Sequence, residues 1–168
     1  MTIVKYLERE NSDRAGSLMS VITAYLTPRL FDIWDLSRTG MPQSDIAVKL
    51  GISRQAVNQA IVEATGKVTR ALTEAASINK IAIESIDSTT GVLTGWSREF
   101  SVKAVISITR RDGMQVWYEH VADCAHCTQY HACQTYLFRI TREHDIKISK
   151  EIKKLPPSKL AQHVFGMK

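Results

Sequence analysis

Three cysteines, the only ones in the chain, fall within ten residues in the segment DCAHCTQYHAC. With the histidine before them they read His120-x3-Cys124-x2-Cys127-x5-Cys133, joining a strand end, a loop and the start of a helix. A Cys-x2-Cys pair on a tight loop converges two thiolates on one ion, and a third cysteine completes a face of a tetrahedron. A closed structural zinc site needs a fourth ligand, for which His120, His126 and His131 are the candidates. His120 is preferred because a strand end opposite the loop can point inward. Zinc is the preferred ion, and a [4Fe–4S] cluster with histidine or an exogenous group at its fourth iron is the alternative. Metal-free thiols, buried or redox-active, are the third reading.

A second group could read nucleic acid. In SRQAVNQAI the polar residues Ser53, Arg54, Gln55, Asn58 and Gln59 lie off the apolar side of a helix. Asn and Gln pair bidentately with adenine, and Arg with guanine or a phosphate. Lys49 just before them, and Lys67 and Arg70 beyond, are candidate phosphate contacts and equally well solvated surface charges.

Residues 43–62 supply the scaffold for that face. With Gln43 as the first of twenty positions, the fifth is Ala47, small enough for one helix to cross closely over another. The ninth is Gly51, where the turn calls for a left-handed backbone. Ile46, Leu50, Ile52, Val57 and Ile61 bury between the two helices, and Ser53 caps the second. This is the pattern of a helix-turn-helix, whose second helix lies in the major groove. A plain helical hairpin is the bland alternative.

The stretch LTPRLFDIWDLSRTGMPQSDIAVKLGISRQAVNQAI resembles the region-4 class of helix-turn-helix domains of sigma factors and response-regulator output domains. It is especially similar to archaeal Tfx-like regulators, which pair such a domain with a small C-terminal one. The resemblance covers roughly residues 26–75. It implies an archaeal DNA-binding regulator whose residues 53–59 enter the groove. CAHCTQYHAC is also similar to the Cys-x2-Cys-x5-Cys stretch of a class of iron–sulfur-binding nucleases. That likeness carries none of the nuclease motif and bears on the metal alone.

The elements around these groups follow from periodicity. Short helices are expected over 3–10 and 15–25, and Thr27-Pro28 starts another that Gly40 stops. From Val57 the apolar residues step by 4 and 3 through Ile61, Ala64, Val68, Ala71, Ala75 and Ile78 to Ala82. That is a heptad seam on a helix of about thirty residues. The seam either packs on its own chain or, as preferred, joins two copies so that both second helices meet a pseudo-palindrome. Beyond the turn STTG at 88–91 the period becomes two. Residues 100–108 alternate as a strand with one buried face, Asp112-Gly113 turns it, and 114–120 returns. A third strand over 92–96 is possible from the pattern. Helical spacing resumes at Cys133, Leu137 and Ile140, and Pro156-Pro157 precedes a last helix over 158–164. The fold class is therefore α+β. A helical unit over 1–84 carries the helix-turn-helix and a long linking helix. A small α+β unit over 85–168 holds a hairpin or three-stranded sheet with a Cys/His metal loop.

The 168 residues carry a net charge of +5 and no apolar run near the ~18 residues of a membrane span. The N-terminal MTIVKYLEREN has no signal-peptide core, so a cytoplasmic location is expected. Bunched cysteines in such a chain indicate metal or redox chemistry rather than a disulfide framework. No nucleotide-binding glycine loop, paired-carboxylate pattern or Ser/His/Asp set stands out, so an enzyme is not expected. Glu119 and Asp123 flank the cysteines, but a four-ligand zinc leaves no open position for substrate. The reading is a homodimeric DNA-binding regulator with duplex DNA, and possibly RNA polymerase, as partner. An adaptor using the same two helices for protein contact is the alternative.

Overall fold

A computed structural model describes residues 24–120 and 123–166. The helix expected over 3–10 lies outside these residues, as does all but the end of the one over 15–25, where Ala24 and Tyr25 form a turn. The described chain is α+β, with five α-helices and a four-stranded antiparallel sheet. None of its helices is long and apolar enough to cross a membrane.

Helix α1 spans Pro28–Arg38. Thr27 caps it by accepting from the Leu30 amide at 3.3 Å, and Pro28 occupies the first helical position, where its missing N–H costs nothing. Helices α2 (Gln43–Leu50) and α3 (Arg54–Ile78) follow. Strands β1 (Ile81–Asp87), β2 (Val92–Ser97), β3 (Val102–Thr109) and β4 (Gly113–Tyr118) form a meander in the order β1-β2-β3-β4. A 3-10 turn, Cys124–His126, leads into α4 (Tyr130–Glu143), and a second, Ile152–Lys154, precedes the last helix, α5 (Pro157–Phe165).

The sheet lies between two helical layers. On one face Leu93, Ala104, Ile106 and Ile108 pack with Leu30, Phe31 and Trp34 of α1 and with Ala64, Val68, Leu72 and Ala76 of α3. On the other, Val105 and Trp117 pack with Leu137 and Ile140 of α4 and Leu160, Ala161 and Val164 of α5.

Three expectations change here. The sheet has four strands, because residues 81–87 are a strand and not the end of the long helix. Asn79 closes α3, and Lys80 at φ 54° reverses the chain before the β-branched Ile81, Ile83 and Ile86 pair with β2. The heptad seam is the second change. Val57, Ala64, Val68 and Ala71 are buried within the chain's own core, while Ile78 is exposed, so the seam cannot also join two copies. Leu72 and Ala76 rotate into its place, as a 3.6-residue period requires over 25 residues. Third, β3 is buried on both faces. Ser107 and Thr109 are fully enclosed, Ser107 bonded to the Tyr136 hydroxyl at 2.6 Å and Thr109 to Asp112 at 3.1 Å. The expected boundary at 84/85 falls inside β1, and the larger apolar cluster joins α1 and α3 to the sheet across it.

Gly95 shows how closely β1 approaches β2. A Cβ there would lie 2.4 Å from the Ala82 carbonyl oxygen and 2.7 Å from Ile81 Cγ2. Backbone cannot yield as a flexible side chain does, so Gly95→Ala is expected to cost about 1–3 kcal/mol in urea unfolding. Gly66→Ala is the control, since a Cβ there meets nothing within 4 Å and helix propensity favours it.

Candidate nucleic-acid interface

Helices α2 and α3 are joined by residues 51–53, and each feature of that turn has a local cause. Gly51 sits at φ 64°, ψ 38°, a left-handed conformation that costs glycine least. Its N–H and that of Ile52 close the end of α2, Ile52 donating to the Ala47 carbonyl at 3.1 Å. Ser53 then accepts from the Ala56 amide at 3.1 Å and starts α3. Ile46 and Ala47 of α2, Val57 of α3 and Ile33 of α1 are buried together in a cluster of their own, with Leu50, Ile52 and Ile61 packed against it. The unit is therefore held by its own core beside the main one.

That core sets what faces outward. Arg54, Gln55, Asn58 and Gln59 are all exposed around buried Val57, and Ser53 and Lys49 are exposed beside them. Gln43 Nε2 donates to Asn58 Oδ1 at 3.2 Å, a contact that spans α2 and α3, and the Asn58 amide nitrogen has no acceptor among the described residues. Arg54 occupies the first position of α3, and the first turn holds no acid. A cation at the positive end of a helix is locally unfavourable, by ~0.3–1 kcal/mol, and is relieved when an anion docks there. The other two candidate phosphate contacts are engaged elsewhere. Lys67 pairs with Glu63 and Arg70 with Glu74, both at 2.7 Å along α3.

Behind the unit, a buried arginine ties its helical layer to the opposite one. Arg38, at the end of α1, has a side chain only 3% exposed. It donates to Asp35 at 2.6 Å, to Glu143 at 2.8 Å and to the Ile108 carbonyl at 3.0 Å, and meets His144 Nε2 at 3.2 Å. Burial, reinforced by the Arg38 charge, holds the His144 imidazole below its ordinary range, so it is neutral and can accept from Arg38. Arg110, in the β3–β4 turn, adds bonds to Asp35 at 2.7 Å and Asp32 at 2.9 Å. Asp35 and Arg38 form a local i,i+3 pair, but nothing in the sequence pattern signals the rest of the network, because Glu143 and His144 lie 105 and 106 residues from Arg38.

The three cysteines differ in exposure and in partners. Cys124 is buried, its thiol donating to Ser158 Oγ of α5 at 3.3 Å, while Cys127 is exposed. Cys133 is half-buried on the first turn of α4, where burial and then the charges of Cys127 and Cys124 push its thiol up. His120, the preferred fourth ligand, is exposed and turns its Nδ1 back to the Tyr118 carbonyl of its own strand at 2.9 Å. His126 Nδ1 bonds Asp123 at 2.6 Å, and the His131 ring lies edge-on to Tyr130. Among the described residues no group of three or more His, Cys, Asp or Glu side chains is arranged to hold a metal ion.

No protein-family model, curated protein sequence or solved structure matches the chain.

Proposed function

We propose that the α2–α3 unit is a helix-turn-helix and that the protein binds duplex DNA in a sequence-specific way as a transcriptional regulator. The observation that carries this reading is the outward face of α3. Four polar side chains able to pair with base edges stand exposed on the first two turns, on a helix whose opposite side is fixed by buried Val57. Arg54 and Lys49 are positioned on the same unit as phosphate contacts.

The charge of the unit predicts how it binds. Residues 43–62 hold Lys49 and Arg54 against Asp45, so each unit neutralises few phosphates. Duplex affinity measured by fluorescence anisotropy against salt is expected to give a shallow log–log slope of about −2 per unit. Lys49→Ala is expected to weaken all sequences alike and to reduce that slope by about 1. No binding at low salt would refute the DNA reading.

A second reading has a specific observation behind it. Val48, on the outer side of α2, is 84% exposed, and Val62 on α3 is 67% exposed. Apolar groups beside a weakly charged face suit a protein surface such as RNA polymerase. Retention of polymerase without retention of DNA would decide for that adaptor role.

A further inference from the structure

We infer that two copies of the chain associate through the edge of β4, which pairs with no further strand among the described residues, running antiparallel to form one continuous sheet. The sheet has two edges, β1 and β4, and they are built differently. β1 carries the devices that keep edges from pairing: a register irregularity between Ile83 and Ser85, and the acids Glu84 and Asp87. β4, GMQVWY, has no charge, no proline and an unbroken register with β3 from Gly113 to Tyr118. An unprotected edge of this kind is a template for another strand.

The hydrogen-bonding phase defines what that edge offers. Glu119 N donates to the Lys103 carbonyl at 2.8 Å, continuing the register in which Val105 faces Trp117 and Ser107 faces Gln115. The odd-numbered residues of β4 therefore bond to β3, and Met114, Val116 and Tyr118 point their N–H and C=O groups away from the sheet. A two-fold axis at Val116 sets Met114 of one copy against Tyr118 of the other and Val116 against itself, for about four backbone bonds. Two more form where each Tyr118 carbonyl accepts from the other copy's Met114 alongside or in place of its own His120 Nδ1, now at 2.9 Å.

A second copy fits this edge better than a generic strand does, because the flanking charges are self-complementary. Arg111 precedes β4 and Glu119 follows it, and neither has a side-chain partner among the described residues. Antiparallel pairing brings each Arg111 to the end of the strand where the other copy's Glu119 stands. Pairing β1 with itself would instead bring acids together. The dimer also sets two α2–α3 units about a two-fold axis, the symmetry of a palindromic site. It does not depend on DNA binding, so it is tested without DNA.

Sedimentation velocity of the full chain over ~1–100 μM, the range in which moderate protein interfaces populate, is expected to show a dimer. Met114→Pro removes an N–H that faces away from β3 and so spares the chain's own ladder. It is expected to give a monomer with its circular dichroism retained. Arg111→Glu alters only an exposed side chain and is expected to weaken the dimer about tenfold, with Arg111→Glu/Glu119→Arg restoring it. A wild-type monomer throughout the range would overturn the inference, as would a dimer unaffected by both Met114→Pro and Arg111→Glu. Protection of the Met114 and Val116 amides from hydrogen exchange in such a monomer would place another part of the chain on the edge.

Discussion

Arg38→Met is expected to lower the unfolding free energy by about 3 kcal/mol, the largest loss from any single side chain in the polar network. The reason is what the substitution leaves behind. Methionine fills much of the volume of the arginine stem, but Asp35 and Glu143 keep their charges in a region where their side chains are only 13% and 18% exposed. The Ile108 carbonyl and His144 lose their donor as well. Arg110 remains to hold Asp35, so the cost falls short of orphaning every carboxylate at once. Arg110→Ala is the internal comparison. Its side chain is 50% exposed, so its two ion pairs are worth no more than about 1 kcal/mol together. Urea unfolding of both variants reads the difference. Equal losses would mean that burial of Arg38 is not what makes the network matter.

Asn58→Ala is expected to weaken binding to the preferred duplex by about 1–3 kcal/mol, roughly 5- to 150-fold, while leaving non-specific binding and stability almost unchanged. Asn58 is exposed, so its removal opens no cavity and strands no buried partner. Gln43 loses one contact, an exposed one at 3.2 Å. A base-reading amide lost from a groove differs from a lost phosphate contact in one way that can be measured. Discrimination at one base position falls, and the salt slope stays where it was. Gln43→Ala is expected to act in the same direction and more weakly, because it frees Asn58 to rotate without removing it. Anisotropy titrations against matched specific and non-specific duplexes separate the two behaviours.

Local chemistry was legible in the sequence wherever one or two residues determine the backbone. Thr27-Pro28 starts α1, Gly51 and Ser53 end α2 and start α3, Asp112-Gly113 turns β3 into β4, and Pro156-Pro157 starts α5, with Pro157 its first residue. The four polar residues of α3 could be placed on an exposed face because Val57 and Ile61 mark the opposite one. Longer-range features left no such mark. Ala75, Ile78 and Ala82 continue a seven-residue spacing that the helix itself abandons, since Asn79 and Lys80 end it and Ala82 already belongs to β1. The polar residues of β3 read as solvent-facing because alternation cannot tell water from a second helical layer. Beyond the local Asp35–Arg38 pair, the Arg38 network joins Arg110, Glu143 and His144, too distant in sequence for any pattern to connect. At the cysteines, ligand spacing alone could not show that Cys124 is turned toward Ser158 and His120 toward its own strand.

Sequence reading by the exposed face of α3, as proposed, leaves a signature in the sites the chain selects. Selection from a random duplex pool, run in parallel with the wild-type chain and Asn58→Ala, tests it most directly. The wild type is expected to enrich a discrete motif, and the variant to lose definition at one position of each half-site while keeping the rest. A pool that returns no motif, or the same motif undiminished from the variant, would contradict it.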